Sequence, residues 1–381
     1  MVAEDAAAVA NIGFGRRFFP GDDVVAVAAD AYGRYANVGR ASPYPGLPSA
    51  KNMLRMQRDL ERWTLELMEA PSDAGALLTS GGTESVIMAV RACLRAAGRL
   101  ADGPGEIVAA RSAHPCIDKA ADIFGLKLIR TPVGADHRAD VAAIVEAITP
   151  RTVMLYSSFP SYAYGLEDDI PSLGALALEH GLWLHVDACM SGFLAPFLRM
   201  NGASIPEFGL TVPGVSSISA DLHKHAYSAK GASVLVAKRD AIDNAKFSYA
   251  DHPLPAMTTP TLAGTAPGAP LASAWAVMRH LGRPGYRDLA HKLSKARRDF
   301  VAAIRSVEGF DVLGEPLFSL VVVTSDRYDM TKMHAGMAAR GWFTLMVSEP
   351  QGLHLNIGPL DGALALGYAA DLQSTALEIS K

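Results

Sequence analysis

The sequence predicts an α/β protein with a large, mostly parallel sheet covered by helices, a helical N-terminal arm and a small α+β C-terminal domain. Three observations carry this. Between about residues 75 and 236, short β-branched apolar runs alternate with helical patterns. Two segments with apolar residues at helical spacing precede that region, and a stretch dense in Pro, Gly and Thr after Lys246 separates it from a second, shorter set of strands and helices. A chain of 381 residues is long enough for one to three such domains.

Taken in order, AVAADAYGRYA and NMLRMQRDLERWTLELMEA repeat apolar residues at helical intervals, and Pro43, Pro45 and Pro48 interrupt the pattern between them. The arm is placed at residues 1–50 and the large domain at 51–278. Within the large domain GALLTS, EIVAA, KLIRT, TVMLYS, LWLHVDA, SSISA and SVLVAK read as strands, and TESVIMAVRACLRAA as a helix. Strands that are apolar throughout rather than alternating are covered on both faces, as in a parallel sheet. The segment YADHPLPAMTTPTLAGTAPGAPLA marks a change of domain, followed by a helix to about residue 307. The small domain, 279–381, has strand-like FDVLG, LFSLVVVTS and LHLNIG, helical TKMHAGMAARG and a last helix over 361–379, with no internal repeat.

Composition narrows the function. Half the residues are hydrophobic and the net charge is −4, so neither disorder nor a nucleic-acid surface is expected and the partners are small molecules. Three cysteines without a CxxC pair argue against a disulfide framework and a clustered zinc site, so no metal is expected. The first residues lack a basic segment followed by an apolar run, and no stretch reaches the roughly 18 apolar residues of a membrane helix, so the expected location is cytoplasmic.

Four segments carry chemistry. In LLTSGGTES, Gly81, Gly82 and Thr83 lie between a strand and a helix, where unpaired N–H groups and the positive dipole end suit a phosphate. The alternative is a capping box in which Ser80 or Thr83 caps the helix and Glu84 fills its first turn. In LWLHVDACMSGF, Asp187 ends an apolar strand, where open sheets put ligand-binding residues; it either meets a cation or ends the strand in water. His114 follows EIVAA and opens a helix, as an ordinary loop histidine also would. In SISADLHKHAYSAKG, Lys224 follows another strand. A phosphate cradle, a strand-end aspartate and a lysine are together the parts that pyridoxal phosphate needs: an anion site, a partner for the ring nitrogen and an amine for the Schiff base.

SGGTES, AHPCIDKAADIFG, LHVDACMSGFL, SISADLHKHAYSAKG and TPTLAGTAPGAPLASAWA, in this order, closely resemble sphingosine-1-phosphate lyases, relatives of the group II amino-acid decarboxylases. The resemblance implies a fold-type-I pyridoxal-phosphate enzyme, a homodimer with active sites at the subunit interface. Carried over residue by residue, it implies Lys224 as the Schiff-base lysine, Asp187 as the pyridinium partner and His114 as the residue stacked on the ring. Gly82 and Thr83 would hold the cofactor phosphate with His223, Ser219 and the neighbouring subunit's Thr265, and Ser158 would approach the ring from the other side. Tyr227 and Lys230 would line the catalytic pocket, and Lys224 would have a depressed pKa suited to moving protons.

The implied reaction is retro-aldol cleavage of the Cα–Cβ bond of a phosphorylated amino alcohol or an amino-acid-like substrate, through an imine with the cofactor. The alternatives are α-decarboxylation of an amino acid and a non-catalytic homologue. Departures from the family pattern touch the substrate end. NVGRASPYPG puts Arg40 where a histidine serves the substrate phosphate, with Tyr44 as a further substrate-facing candidate. Arginine's planar fork suits a carboxylate or phosphate, and a solvent-facing arginine is the other reading. Phe18 and Phe19 stand where a phosphate-binding tyrosine is usual, GTAPGA replaces GSRPGG so that Ala266 lacks a guanidinium, and His225 replaces a tyrosine.

Overall fold

A computed structural model of the chain describes residues 18–40, 51–98 and 105–380. The N-terminal helices are α1 (Asp22–Arg34) and α2 (Lys51–Leu67). The main body alternates β1 (Ala74–Thr79), α3 (Gly82–Ala96), β2 (Glu106–Ala110), α4 (Cys116–Phe124), β3 (Lys127–Thr131), α5 (Val141–Ala147), β4 (Thr152–Ser158), α6 (Ile170–His180) and β5 (Trp183–Asp187). It continues through α7 (Ala195–Met200), β6 (Val215–Ala220), β7 (Ser233–Lys238) and α8 (Arg239–Ala245). The seven strands lie in the order β1-β7-β6-β5-β4-β2-β3. β3, β2, β4, β5 and β6 pair in parallel, while β7 runs antiparallel to both β6 and β1. The sheet is therefore mostly parallel, as its apolar strands predict, with one reversed strand.

Burial explains the element choices. Every residue of β2 and of β4 is buried, and the side chains of Leu78, Val86, Ile107 and Met154 are fully enclosed. Each such side chain contributes about 1.5–3 kcal/mol relative to exposure. On one face α3 and α4 pack Val86, Ile87 and Ile117 against the sheet. On the other, Leu60, Leu173, Phe197 and Leu293 build the larger core. Asp140 and Asp169 cap α5 and α6 by accepting from Ala143 N–H and Ser172 N–H, which fixes where those helices begin.

The Pro- and Gly-rich stretch holds a short hairpin of β8 (Phe247–Tyr249) and β9 (Met257–Thr259), then leads into the long helix α9 (Ala269–Arg305). This helix crosses the expected boundary at 278/279 and breaks at Gly282, whose φ of 53° and ψ of −176° are not helical. A second, antiparallel sheet follows, in the order β10 (Asp311–Val312), β11 (Leu320–Thr324), β13 (Gln351–Asn356) and β12 (Leu345–Ser348). It is covered by α10 (Met330–Ala339) and α11 (Ala365–Ile379) around a core of Phe300, Val321, Met333, Leu353 and Tyr368. β12 and the β8–β9 hairpin escape a sequence reading because both are short and largely exposed, so neither leaves an apolar run.

Because β1, β2, β4, β5 and β6 all point the same way, their C-terminal ends form one edge. His114, Ser158, Asp187, Lys224 and the start of α3 lie just beyond that edge, where open α/β sheets bind ligands.

Candidate active site

At this edge lies a cavity of about 250 Å³, walled by Gly81, Gly82, Thr83, His114, Ser158, Asp187, His223 and Lys224. Chain direction alone assembles it, since each residue sits at or just after a strand whose neighbours in the sheet are far away in sequence.

The phosphate side is the start of α3. Its N-cap is Gly81, and no side chain caps the helix, so neither Ser80 nor Thr83 plays the part a capping box requires. Glu84 is engaged elsewhere, accepting from Ser80 N–H (2.6 Å) and from Leu262 N–H (3.0 Å), which pins the loop before the helix to the strap after β9. The first N–H groups of α3 are left facing the cavity, and the dipole there favours an anion. Gly82 is required by close packing: a Cβ at this position would lie 2.6 Å from Cys189 Sγ.

Opposite this helix start, the Lys224 ammonium lies 3.0 Å from Asp221 Oδ2, and His223 Nε2 lies 3.4 Å from the same oxygen. His223 Nδ1 accepts from Ala232 N–H at 3.2 Å, so Nε2 carries the proton and donates to Asp221. Burial would lower the Lys224 pKa, but Asp221 foremost, together with Asp187, holds it above the ordinary lysine range. The expectation of a depressed lysine is corrected: the carboxylates of Asp221 and Asp187 outweigh burial and raise it. Burial likewise works against the Asp221 and Asp187 anions, and Lys224 is the main influence that brings both below the usual carboxylate range.

His114 Nδ1 accepts from Cys116 N–H (3.1 Å), and burial keeps its pKa below the usual value, so the ring is neutral with its proton on Nε2. Ser158 is set by the buried Asp168, whose carboxylate accepts from Ser158 N–H (2.7 Å) and Ala139 N–H (2.9 Å). Ser158 Oγ and Asp221 Oδ1, both buried in the cavity wall, find no hydrogen-bond partner among the described residues. Buried polar atoms of this kind are rare without a ligand or water to meet them. An uncapped helix start, a half-buried amine, a buried carboxylate and two unpartnered oxygens fit a phosphorylated, ring-bearing aldehyde.

Other expected site residues lie elsewhere. Ser219 is not in the cavity wall; its hydroxyl donates to Asp187 Oδ1 at 3.3 Å from behind. Tyr227 and Lys230 line a neighbouring apolar cavity with Phe18, Val25 and Ala28, and His223 is shared between the two cavities. Tyr227 is buried in the left-handed region (φ 59°), and its hydroxyl has no hydrogen-bond partner among the described residues. Lys230 is exposed, donates to His223 O (3.1 Å) and sits 4.9 Å over the Phe18 ring. Arg40 neither faces solvent nor lines the Lys224 cavity. It is 8 % exposed, and its guanidinium donates to Leu78 O at 2.9 Å, making it a strut beneath β1. Thr265 is exposed on the strap, outside the cavity of its own chain, and Tyr44 lies outside the described residues.

The sequence reading missed Asp221, Cys189 and Tyr156. Asp221 had a signal, an acidic residue three before the lysine directly after a strand. Tyr156 stands two residues before Ser158 on the same face of β4, a polar group in an apolar run. Cys189 carries no sequence signal, because only the approach of α3 to β5 gives it a role.

Residues 49–325 match the model of the pyridoxal-dependent decarboxylase conserved domain. The chain is 31% identical to sphingosine-1-phosphate lyase 1 of Mus musculus over 357 residues, 92% of this chain and 62% of that protein. The chain thus spans less than two thirds of the length of that curated relative. It is 33% identical to a probable L-tyrosine/L-aspartate decarboxylase of Methanothermobacter thermautotrophicus, over 81% of this chain and 84% of that one. The solved sphingosine-1-phosphate lyase of Burkholderia pseudomallei superposes with a TM-score of 0.91 at 30% identity, covering all of this chain and 89% of the other.

Proposed function

The chain belongs to the pyridoxal-dependent decarboxylase family, and from that premise we propose that it is a pyridoxal-phosphate-dependent carbon–carbon lyase that cleaves the Cα–Cβ bond of a phosphorylated amino alcohol. The observation that carries this reading is the likeness, over the whole described fold, to the lyase of Burkholderia pseudomallei. We further propose that it works as a cytoplasmic homodimer; sedimentation at the mass of a single chain would remove the dimer. Among the described residues no helix is long and apolar enough to cross a membrane.

When bound, the cofactor supplies an electron sink for a substrate amine. The residues of this chain provide the rest. Lys224 would be the amine that holds the cofactor and would also serve to move a proton; Asp221, 3.0 Å away, keeps it in reach. The N–H groups of Gly82 and Thr83 would receive the phosphate, and Asp187, ionised, would accept from the ring nitrogen. The neutral His114 ring and Ser158, which both line the cavity, would flank the cofactor ring. Which bond breaks depends on which substituent is held perpendicular to the ring, and that is set by the groups that anchor the substrate.

Tyr227, Lys230 and the partner subunit are the candidates for that anchoring. The Methanothermobacter relative, 84% of which this chain covers, favours α-decarboxylation as the second reading. An amine and amino-acid panel separates the two: aldehyde without carbon dioxide supports the carbon–carbon lyase, and carbon dioxide without aldehyde replaces it with the decarboxylase. The holoprotein is expected to show visible Schiff-base absorbance that Lys224→Ala abolishes. Absorbance unchanged in that variant removes Lys224 from its role.

A further inference from the structure

Asp187 stands at the meeting point of two hydrogen-bond chains, and the donors in both are determined. On one side Tyr156 Oη donates to Asp187 Oδ2 at 2.6 Å. The tyrosine is 1 % exposed, and its oxygen lies 3.5 Å from Cys116 Sγ. Burial pushes the Cys116 thiol up to about 12, so it is an S–H group, and with the phenol proton committed to Asp187 the thiol is the donor to Tyr156.

On the other side Asp187 Oδ1 accepts from Cys189 N–H (3.0 Å) and Ser219 Oγ–H (3.3 Å). Ser219 Oγ is 3.2 Å from His185 Nε2, whose Nδ1 is 2.8 Å from Ser217 Oγ. Trp183 Nε1–H donates to that same Ser217 oxygen at 2.8 Å. Because Ser219 gives its proton to Asp187, the neutral His185 carries its proton on Nε2 and donates to Ser219, and its Nδ1 accepts from Ser217. Every proton in the network runs toward the carboxylate.

We propose that Tyr156 is a positioning residue, whose hydroxyl turns and holds the ionised Asp187 carboxylate as the acceptor for the ring nitrogen of the bound cofactor. The inference rests on the reading of the cavity as a pyridoxal-phosphate site. Its particular support is that of the side-chain donors to Asp187, the phenol is the nearer: Ser219, the other, is longer and shared with His185 and Cys189. Removing it leaves Oδ2 without its donor in a site where burial disfavours the anion. The register of β4 on β5 makes the contact possible, because Tyr156 pairs with His185 and Ser158 with Asp187, so the phenol reaches diagonally to the strand end.

The test titrates full-length protein, stripped of cofactor, with pyridoxal phosphate, following visible absorbance and, with labelled cofactor, the nitrogen-15 shift of the ring nitrogen. Tyr156→Phe keeps the ring and removes the donor. It is expected to weaken cofactor binding about tenfold, the worth of one hydrogen bond to a charged group, and to move the nitrogen-15 shift. In an Asp187→Asn background the same change is expected to leave affinity unaltered, which a merely structural tyrosine would not do. A folded Tyr156→Phe with wild-type affinity and an unmoved shift overturns the inference. Should that variant fail to fold, 3,5-difluorotyrosine placed at position 156 keeps the shape and strengthens the donor; the nitrogen-15 shift must then move the opposite way, and an unmoved shift overturns the proposal. Wild-type protein that binds no pyridoxal phosphate overturns the cofactor reading itself, an outcome distinct from normal binding that is indifferent to Tyr156.

Discussion

Gly82 and Lys224 show how single residues carry this site. Gly82 is tied to the site by contact rather than by backbone angle, since the missing side chain makes room for Cys189 Sγ below the start of α3. Gly82→Ala is expected to destabilise the protein by about 1–3 kcal/mol through overpacking and to weaken cofactor binding. Cys189→Ala in the same chain should recover part of both, as read by chemical denaturation and absorbance titration. Lys224 was legible as the amine from its place after a strand, but its charge state was not. The sequence reading gave it a depressed pKa, whereas the fold surrounds it with Asp221 and Asp187, which raise it. Removing it takes the cation away from two buried carboxylates, so Lys224→Ala should also lower the stability of cofactor-free protein by about 3–5 kcal/mol.

Among the elements, the strands of the main sheet were all legible, most of them because strands covered on both faces read as unbroken apolar runs. The edge strand β3, only partly buried, and the serine-containing β6 were legible from shorter apolar patterns. The helices that carry the site were legible only in part. The sequence located α3, but whether its first turn was capped depended on where Glu84 pointed, and that is settled by Leu262, far along the chain. The helix α9 shows a different limit. It reads as one helical segment, yet Gly282 adopts φ 53° and ψ −176°, a region open essentially to glycine alone. A Cβ there would meet nothing closer than Pro284 Cδ at 3.6 Å, so the penalty for substitution is conformational. Gly282→Ala should lower stability by about 1–3 kcal/mol without changing cofactor affinity. A loss of affinity equal to that of a cavity variant would show instead that the break in α9 shapes the site.

At the scale of the molecule, buried titratable groups join the main body to the C-terminal sheet. His225 Nε2 meets Ser319 Oγ at 3.1 Å, and His354 Nε2 meets Tyr162 O at 2.7 Å, across that junction. Burial, helped by Lys224 and Lys230, pushes His225 down to about 3, and burial pushes His185 down to about 4. These bases bind fewer protons folded than unfolded, so stability falls as the pH drops below the unfolded value of about 6.5. The depressed carboxylates of Asp187 and Asp221 act lower on the scale: their stabilisation is present above the unfolded value of about 4 and is lost as the pH falls through the folded values. Lys224 has the opposite sign, contributing below about 10.4 and losing that contribution as the pH rises through its raised value. The resistance of cofactor-free protein to urea should therefore weaken as the pH falls below about 6.5. His225→Gln should remove roughly 1.4 kcal/mol per pH unit from that slope, and an unaltered slope would assign the loss to other groups.

What the sequence determined by itself was local or periodic: the apolar strands, the glycine pair before a helix, the aspartate at a strand end and the lysine after another strand. Those patterns specify the fold class and the cofactor chemistry, because each is written in neighbouring residues. Only the tertiary structure decided which groups meet across strands. It placed Asp221 against Lys224, Tyr156 on Asp187, Ser219 behind that carboxylate and Arg40 under β1 rather than in the cavity. Burial and charge act through space over a few ångströms, and residues that close in the fold are separated in the chain by whole strands and helices.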